Sequence, residues 1–325
     1  MAARDRLLVI VDPTSESQPA VERAIWLAKT LEAGIELYVC DYDQVLLSDQ
    51  SFSSDDVERA KRRVVERNLQ KLRGLARRVA AEGVEVEIDV RWHHPLDEGL
   101  ICKTHESKPA VVIKETHYHS LLKRSIFSNT DWELIRGCPA ALLLVKPGSF
   151  PDHPRIVAAV DPLHAHDKPA ELDRAILAVA QNLSRRSKGD LHVFHAFDPA
   201  PAIAVAADAM MTPLSTPVSV ATEALETRHR DALRELLERC AIDDAQTHIH
   251  QGLAQELLIR LTEQIEANLV VMGAASRSAV KRLFVGSTAE RVLDKLPCDV
   301  LIVKVGENVR RFVEDFCAGS ETVSP

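Results

Sequence analysis

Aromatic side chains are scarce in this chain: Phe, Trp and Tyr together make up 4% of it, against 46% for all hydrophobic types. A core built on that supply has to be filled by Val, Ile, Leu and Ala, the usual filling of parallel sheets covered on both faces. The cysteines (Cys40, Cys102, Cys138, Cys240, Cys298 and Cys317) form no C-x-x-C pair and no zinc-ribbon spacing. Scattered thiols in a chain of this length point to a reducing, cytoplasmic setting. An excess of positive charge is lacking too. The net charge is −8 and the pI is near 5.9, which removes any global pull toward nucleic acid or an anionic membrane. Near the N-terminus, "MAARDRLLVIVDP" offers only five apolar residues in a row before Asp12, too few for a signal peptide or a membrane-spanning helix. No Walker lysine and no nucleophile with an evident activating base appear, so catalysis is not expected.

What is present is a sequence written twice. At 325 residues the length favours two domains. "RLLVIVDP" (Arg6 to Pro13) and "RIVAAVDP" (Arg155 to Pro162) share a beginning. "KRSIFSNTDWELIRGCPAALLLVK" (Lys123 to Lys146) and "KRLFVGSTAERVLDKLPCDVLIVK" (Lys281 to Lys304) share an ending. Lys123 and Lys281 stand 158 positions apart, as do Pro139 and Pro297, whereas Asp12 and Asp161 stand 149 apart. An internal repeat of this kind settles the architecture before anything else. In each copy a buried strand ends in Asp-Pro, a helix opens on proline, and strands alternate with helices thereafter. That alternation predicts a parallel, doubly wound α/β sheet, with ligands outside the carboxyl ends of its strands. We therefore expect domains at 1–148 and 149–306 and a tail over 307–325. Association of two whole chains stays open. In the first copy, Val65, Leu69, Leu72, Ala76 and Val79 recur at helical spacing.

The stretch "VVMGAASRSAVKRLFVGSTAERV" (Val270 to Val292) is the part of the second copy most suggestive of a ligand. Gly273 permits a positive φ, and the small residues after it let a ligand approach the backbone. Gly286-Ser287-Thr288 then opens a helix, where free N–H groups favour a phosphate. Ser287 and Glu290 also have capping-box spacing, so the same residues read equally as a plain helix start.

A strand ending in Val-Asp, a G-x-x-G-x₉-G-(S/T) pattern after the fourth strand and a closing "CDVLIV" resemble the universal stress protein family. The doubling with a degenerate first copy resembles its tandem, E-type members. The resemblance implies two Rossmann-like (adenine nucleotide alpha hydrolase-like) domains, a cytoplasmic stress-response role and, in some members, nucleotide binding. Closing strands pair across the two-fold axis of homodimers in that family, which implies that Ala141 to Lys146 and Asp299 to Lys304 pair within this chain as a built-in pseudo-dimer. Carried onto this chain, it implies ATP in the second copy. Asp161 and Val193 would lie at the adenine and Met272 and Gly273 along the sugar, with Ser276, Gly286, Ser287 and Thr288 at the phosphates. Arg277 and Lys281 add positive charge. Ser276 departs from the pattern, which has a second glycine there. A serine costs about 1 kcal/mol in left-handed geometry, which weakens such a site without removing it.

In the first copy the offset of 158 puts Glu115 at the position of Gly273, Tyr118 at Ser276, Ser128 at Gly286 and Asn129 at Ser287. A carboxylate about 4 Å from a phosphate costs roughly 1–4 kcal/mol per charge pair, so this copy is not expected to hold a triphosphate. Thr130 and Glu133 have the spacing of a capping box. Histidine is prominent here instead: His93 and His94 follow the third strand, and His117 and His119 follow the fourth. With Glu115 they have the donor types of a zinc site, although polar surface loops are the preferred reading. Nine basic residues lie between Arg59 and Arg78 against one acid, Glu66. That run is read as the solvated face of a helix rather than a nucleic-acid stripe. Finally, Pro199 to Val220 is apolar and broken by prolines. As a lid it would suit a small apolar, acyl-like ligand, which leaves a carrier or sensor as the alternative function; as packing it would only bury an interface. A weak nucleotide hydrolase is the remaining alternative.

Overall fold

The fold was analysed in a computed structural model, which describes residues 6–42, 53–119, 124–126, 128–163, 170–200, 218–273 and 292–304. The chain divides into two compact units. The first comprises residues 1–152 together with 299–325, and the second comprises 153–298. The last strand of the second sequence copy thus belongs structurally to the first unit.

In the first unit, strands β1 (Arg6–Ile10), β2 (Gly34–Asp41), β3 (Val86–Trp92), β4 (Val111–Glu115) and β7 (Ala141–Val145) are joined by helices. These are α1 (Pro19–Leu31), α2 (Ser54–Ala81), α3 (Leu96–Ser107) and α4 (Asn129–Gly137). A small antiparallel ribbon, β5 (His117–His119) with β6 (Arg124–Ile126), follows β4. The sheet order is β7-β4-β1-β2-β3, all parallel, so strand order reverses between β1 and β4. Strand β12 (Asp299–Val303) adds to β7 antiparallel, with Val300 opposite Leu144 and Ile302 opposite Leu142. This is the pairing of closing strands that the family resemblance implies. The second unit repeats the plan with β8 (Arg155–Ala159), β9 (Asp190–Phe197), β10 (Gln246–Gln251) and β11 (Leu269–Gly273). Its helices are α5 (Ala170–Ser187), α6 (Val218–Arg239) and α7 (Ala254–Gln264), and its sheet order is β10-β9-β8-β11.

The central strands are buried along most of their length, and their side chains are the Val, Ile, Leu and Ala that the shortage of aromatics demands. Leu7, Leu8 and Val9 on β1, Val111 to Ile113 on β4, and Ile156 to Ala158 on β8 form the middle of the two cores. Burial of each large aliphatic contributes about 1.5–3 kcal/mol. Helix α2 buries Val64, Asn68, Leu72, Leu75 and Val79. Its inner face is therefore turned from the one its apolar residues indicate, with Val65, Leu69 and Ala76 only half-buried. The reason is a polar residue on the inner face: Asn68 Nδ2 donates to Asp41 Oδ2 at 2.8 Å. The basic run on this helix is largely paired with acids, Arg59 with Asp56, Lys61 with Glu58, Arg67 with Asp41, Arg73 with Glu66 and Arg78 with Glu22.

Helix α4 begins two residues earlier than the Thr130–Glu133 pattern implies. Its cap is Ser128, whose Oγ accepts the Asp131 N–H at 3.2 Å while Asp131 Oδ2 accepts the Ser128 N–H at 2.7 Å. Asp131 Oδ1 lies 2.7 Å from Lys114 Nζ, which ties the helix start to the end of β4. Glu133 pairs instead with Arg136 at 2.7 Å.

Candidate functional site

The carboxyl ends of β8 and β11 flank the point where strand order reverses in the second unit. Asp161 lies two residues past β8, half-buried, and its surroundings fix it from both sides. Its own N–H donates to Asp173 Oδ1 at 3.1 Å, from the buried first turn of α5. The carbonyl before it, on Val160, accepts from His195 Nδ1 at 3.1 Å. Met272 and Gly273 end the neighbouring strand β11, Met272 buried and Gly273 half-buried.

Gly273 does not adopt a positive φ. Its missing side chain serves close packing instead, since a Cβ there would stand 2.6 Å from Leu172 Cδ2, a buried side chain on α5. Val193 is not at the edge. It is fully buried and pairs with Ala158, three residues short of Asp161, which at about 3.3 Å per residue is roughly 10 Å down the strand. In the same register, Ala196 stands level with Asp161. Counting the ladder from the two Asp-Pro ends gives the same alignment. Ser276, Arg277, Gly286, Ser287 and Thr288 lie outside the described residues, as does most of the Pro199–Val220 segment.

The first unit has the same register. The Val11 N–H donates to the Tyr38 carbonyl at 2.9 Å as the Val160 N–H does to Phe194 at 3.0 Å, but its strand ends are occupied by the chain's own groups. Lys71 Nζ, from α2, donates to the carbonyls of Pro13 and Ser15 at 2.8 Å each. Gln18 Nε2 donates to Ser15 O at 2.9 Å and Asp12 O at 3.1 Å. Asp12 Oδ1 accepts from the Thr14 N–H and hydroxyl at 2.7 Å. Glu115, where the second copy has Gly273, ends β4 with Oε2 buried and without a hydrogen-bond partner. Burial, together with the nearby charge of Asp12, pushes the Glu115 carboxyl up to about 7, against a smaller opposing pull from Lys114.

A carboxyl whose folded value is raised contributes fully below its ordinary value, and the contribution is lost as pH rises through about 7. Glu115→Gln is therefore expected to stabilise the first unit by about 1–2 kcal/mol at pH 8, solvent screening of the half-buried group having removed part of the full cost. Little change is expected at pH 5. Urea unfolding at the two pH values checks this.

Of the histidines singled out in the first copy, His93 and His94 serve their own loop. His93 Nδ1 donates to Pro95 O at 3.0 Å, and the His94 ring meets Tyr42 edge-on at 4.7 Å. His117 and His119 lie on β5. Among the described residues, no three His, Cys, Asp or Glu side chains are grouped to hold a metal ion. The histidines that do gather are in the second unit. His192 Nδ1 lies 2.9 Å from His248 Nε2, and His195 Nε2 lies 2.8 Å from His229 Nδ1. The partners are 56 and 34 residues apart, so no local motif announces them; the period-2 alternation of "DLHVFHAF" places His192 and His195 on opposite faces of β9.

Comparison with known proteins agrees with this double architecture. The model of the universal stress protein family matches residues 3–146 and again 154–304. Universal stress protein E of Salmonella typhi is 30% identical over 310 residues, covering 94% of this chain and 96% of its own length. Universal stress protein E of Photorhabdus laumondii is 29% identical over 306 residues, with the same coverage of 94% and 96%. Among solved structures, a Pseudomonas aeruginosa UCBPP-PA14 protein assigned to the universal stress proteins is similar at 25% identity with a TM-score of 0.70. That likeness spans 97% of this chain and 98% of the other. A universal stress protein from Archaeoglobus fulgidus shares the fold at 18% identity, with a TM-score of 0.67 over 93% of this chain and 98% of its own. With two matched segments, an antiparallel pair of closing strands and one sheet order used twice, the chain belongs to the universal stress protein family as a tandem, E-type member.

Proposed function

We propose that this chain is a non-catalytic stress-response protein whose second unit binds ATP at its strand ends, the first unit serving as scaffold. The observation that carries the reading is the contrast at one repeated position. In the second copy it is Gly273, beside an Asp161 held in place through Asp173 and His195. In the first it is Glu115, beside a turn already held by Lys71 and Gln18. Glu115 fills the place of a glycine and repels a polyanion whenever it is ionised, whereas Gly273 brings no side chain and no charge there. Asp161 would take the adenine with the backbone at Ala196, and Met272 and Gly273 would follow the sugar. Ser276, Gly286, Ser287 and Thr288 would meet the phosphates, with Arg277 adding charge.

Calorimetry with Mg-ATP tests the reading. The wild-type chain is expected to bind, and Gly286→Trp, which fills the phosphate position, to bind at least tenfold more weakly. Unchanged affinity in that variant would falsify the cradle assignment. Native mass spectrometry of freshly purified chain separates the alternatives. A retained acyl-bearing compound would replace ATP binding with a carrier role for the Pro199–Val220 segment, and steady conversion of added ATP to ADP would show a hydrolase.

A further inference from the structure

Two imidazoles are buried directly behind the Asp161 turn: His195, which already holds it, and His229 behind that, which has no role in the reading so far. His195 is 1% exposed and His229 is 7% exposed. Their hydrogen bonds run in one direction. The Val160 carbonyl can only accept, so His195 Nδ1 carries the proton and donates. His195 Nε2 then has a lone pair and accepts from His229 Nδ1–H. One nitrogen remains, Nε2 of His229, on a ring stacked against Phe197 with centroids 4.5 Å apart. Through this chain, helix α6 holds the backbone immediately before Asp161. The first unit has no counterpart, because Val39 occupies the register position of His195.

We propose that His195 and His229 are positioning residues for the second unit's ligand site, holding the Val160–Asp161 turn in its binding form while neutral and releasing it on protonation. The inference rests on the ATP reading for the identity of the ligand, although the device itself does not. A first proton enters at His229 Nε2 and makes a cation. The groups that act on it are His195 from β9, Arg228 from its own helix and Asp161 from the turn, with Asp173 of α5 holding the Asp161 N–H. Burial first, then His195, keep His229 below the ordinary imidazole range, against an opposing pull from Asp161. Once charged, the ring draws on the Asp161 carboxylate that a ligand needs. A second proton, on His195 Nε2, sets two N–H groups against each other and parts the rings. The sign follows from the lowered value: stability from this pair is complete above the ordinary imidazole range near 6.5 and is lost as pH falls through the folded value.

The test uses the full chain. Mg-ATP affinity is measured at pH 7.5 and 5.5 for the wild type and His229→Gln, so that the nucleotide's own titration is common to both. The wild type is expected to weaken at least tenfold more than the variant between the two pH values. Equal pH responses overturn the proposal. In parallel, ring nitrogen shifts of the ligand-free chain are expected to show both imidazoles as Nδ1–H tautomers at pH 7.5, with His229 taking its proton below the ordinary imidazole range and the His195 signals moving as it does. A His229 ring that titrates as an exposed imidazole does, with the His195 signals unmoved, overturns it as well. If the wild type binds no ATP at either pH, the nucleotide reading has failed and hydrogen exchange at the Asp161 amide decides the device. Exchange about tenfold faster at pH 5.5 than the intrinsic rate change explains, in the wild type and not in His229→Gln, supports it. The same exchange in both refutes it.

Discussion

Asp299→Ala is expected to destabilise the first unit by about 3–5 kcal/mol, among the largest effects any single substitution in this chain should produce. Asp299 begins β12 and is 2% exposed; its partner Arg23, on α1, is 4% exposed. Arg23 Nε donates to Asp299 Oδ2, and Asp299 Oδ1 accepts the Lys146 N–H at 2.8 Å. The guanidinium also lies 4.3 Å from the centre of the Phe150 ring. Truncating the aspartate leaves a buried cation without its counter-charge and a buried amide without its acceptor. Asp299→Asn keeps an acceptor for Lys146 while stranding the charge, so an intermediate loss is expected. Replacing both partners, Arg23→Met with Asp299→Leu, removes the charge problem and should recover most of the loss. Urea unfolding of the four chains checks the series; an Asp299→Ala chain within 0.5 kcal/mol of wild type would refute it.

Gly189→Ala is expected to cost about 3 kcal/mol, at the upper end for overpacking, because the obstacle is backbone. A Cβ on Gly189 would stand 2.2 Å from the Pro154 carbonyl oxygen. That oxygen is itself held by the Asp190 N–H at 3.1 Å. Gly189 is held in turn by its N–H to Ser184 O at 2.9 Å and by Ser184 Oγ to its carbonyl at 2.7 Å. The first copy has Ala33 at the equivalent corner, with its N–H on Ala28 O at 3.0 Å and a left-handed residue before it, Glu32, as Lys188 precedes Gly189. The turn therefore tolerates a side chain in general. Glycine is required in the second copy because Pro154 crosses it there. Chemical denaturation followed by a probe in the second unit, with the first unit's transition as internal control, measures the cost.

These two sites illustrate how far local pattern reaches. The repeat, the strands and their order were readable because runs such as "LVVMG" and "DVLIV" carry their own signal, and the constant offset of 158 aligns them. Cap assignment failed where two overlapping patterns fit: Ser128 with Asp131 and Thr130 with Glu133 both have the spacing, and only the position of Lys114 beside Asp131 tells them apart. The inner face of α2 was misjudged because Asn68 is buried through a hydrogen bond to Asp41, a partner 27 residues away. Val193 comes to the ligand through the family resemblance alone, and the ladder with β8 sets it beside Ala158, three residues short of Asp161. Gly273 was read for its backbone freedom and turned out to be small for the sake of Leu172. In each case the missing information was a contact between distant segments.

The placement of Asp299–Val303 in the first unit has a consequence for anyone dividing this protein. The boundary of the sequence repeat and the boundary between the compact units do not coincide. A fragment stopping near residue 152 would present β7, whose five residues are all buried in the intact chain, as a bare apolar edge with unmet N–H and C=O groups. Such fragments should stick to one another along that edge, so the repeat is separable on paper but not at the bench.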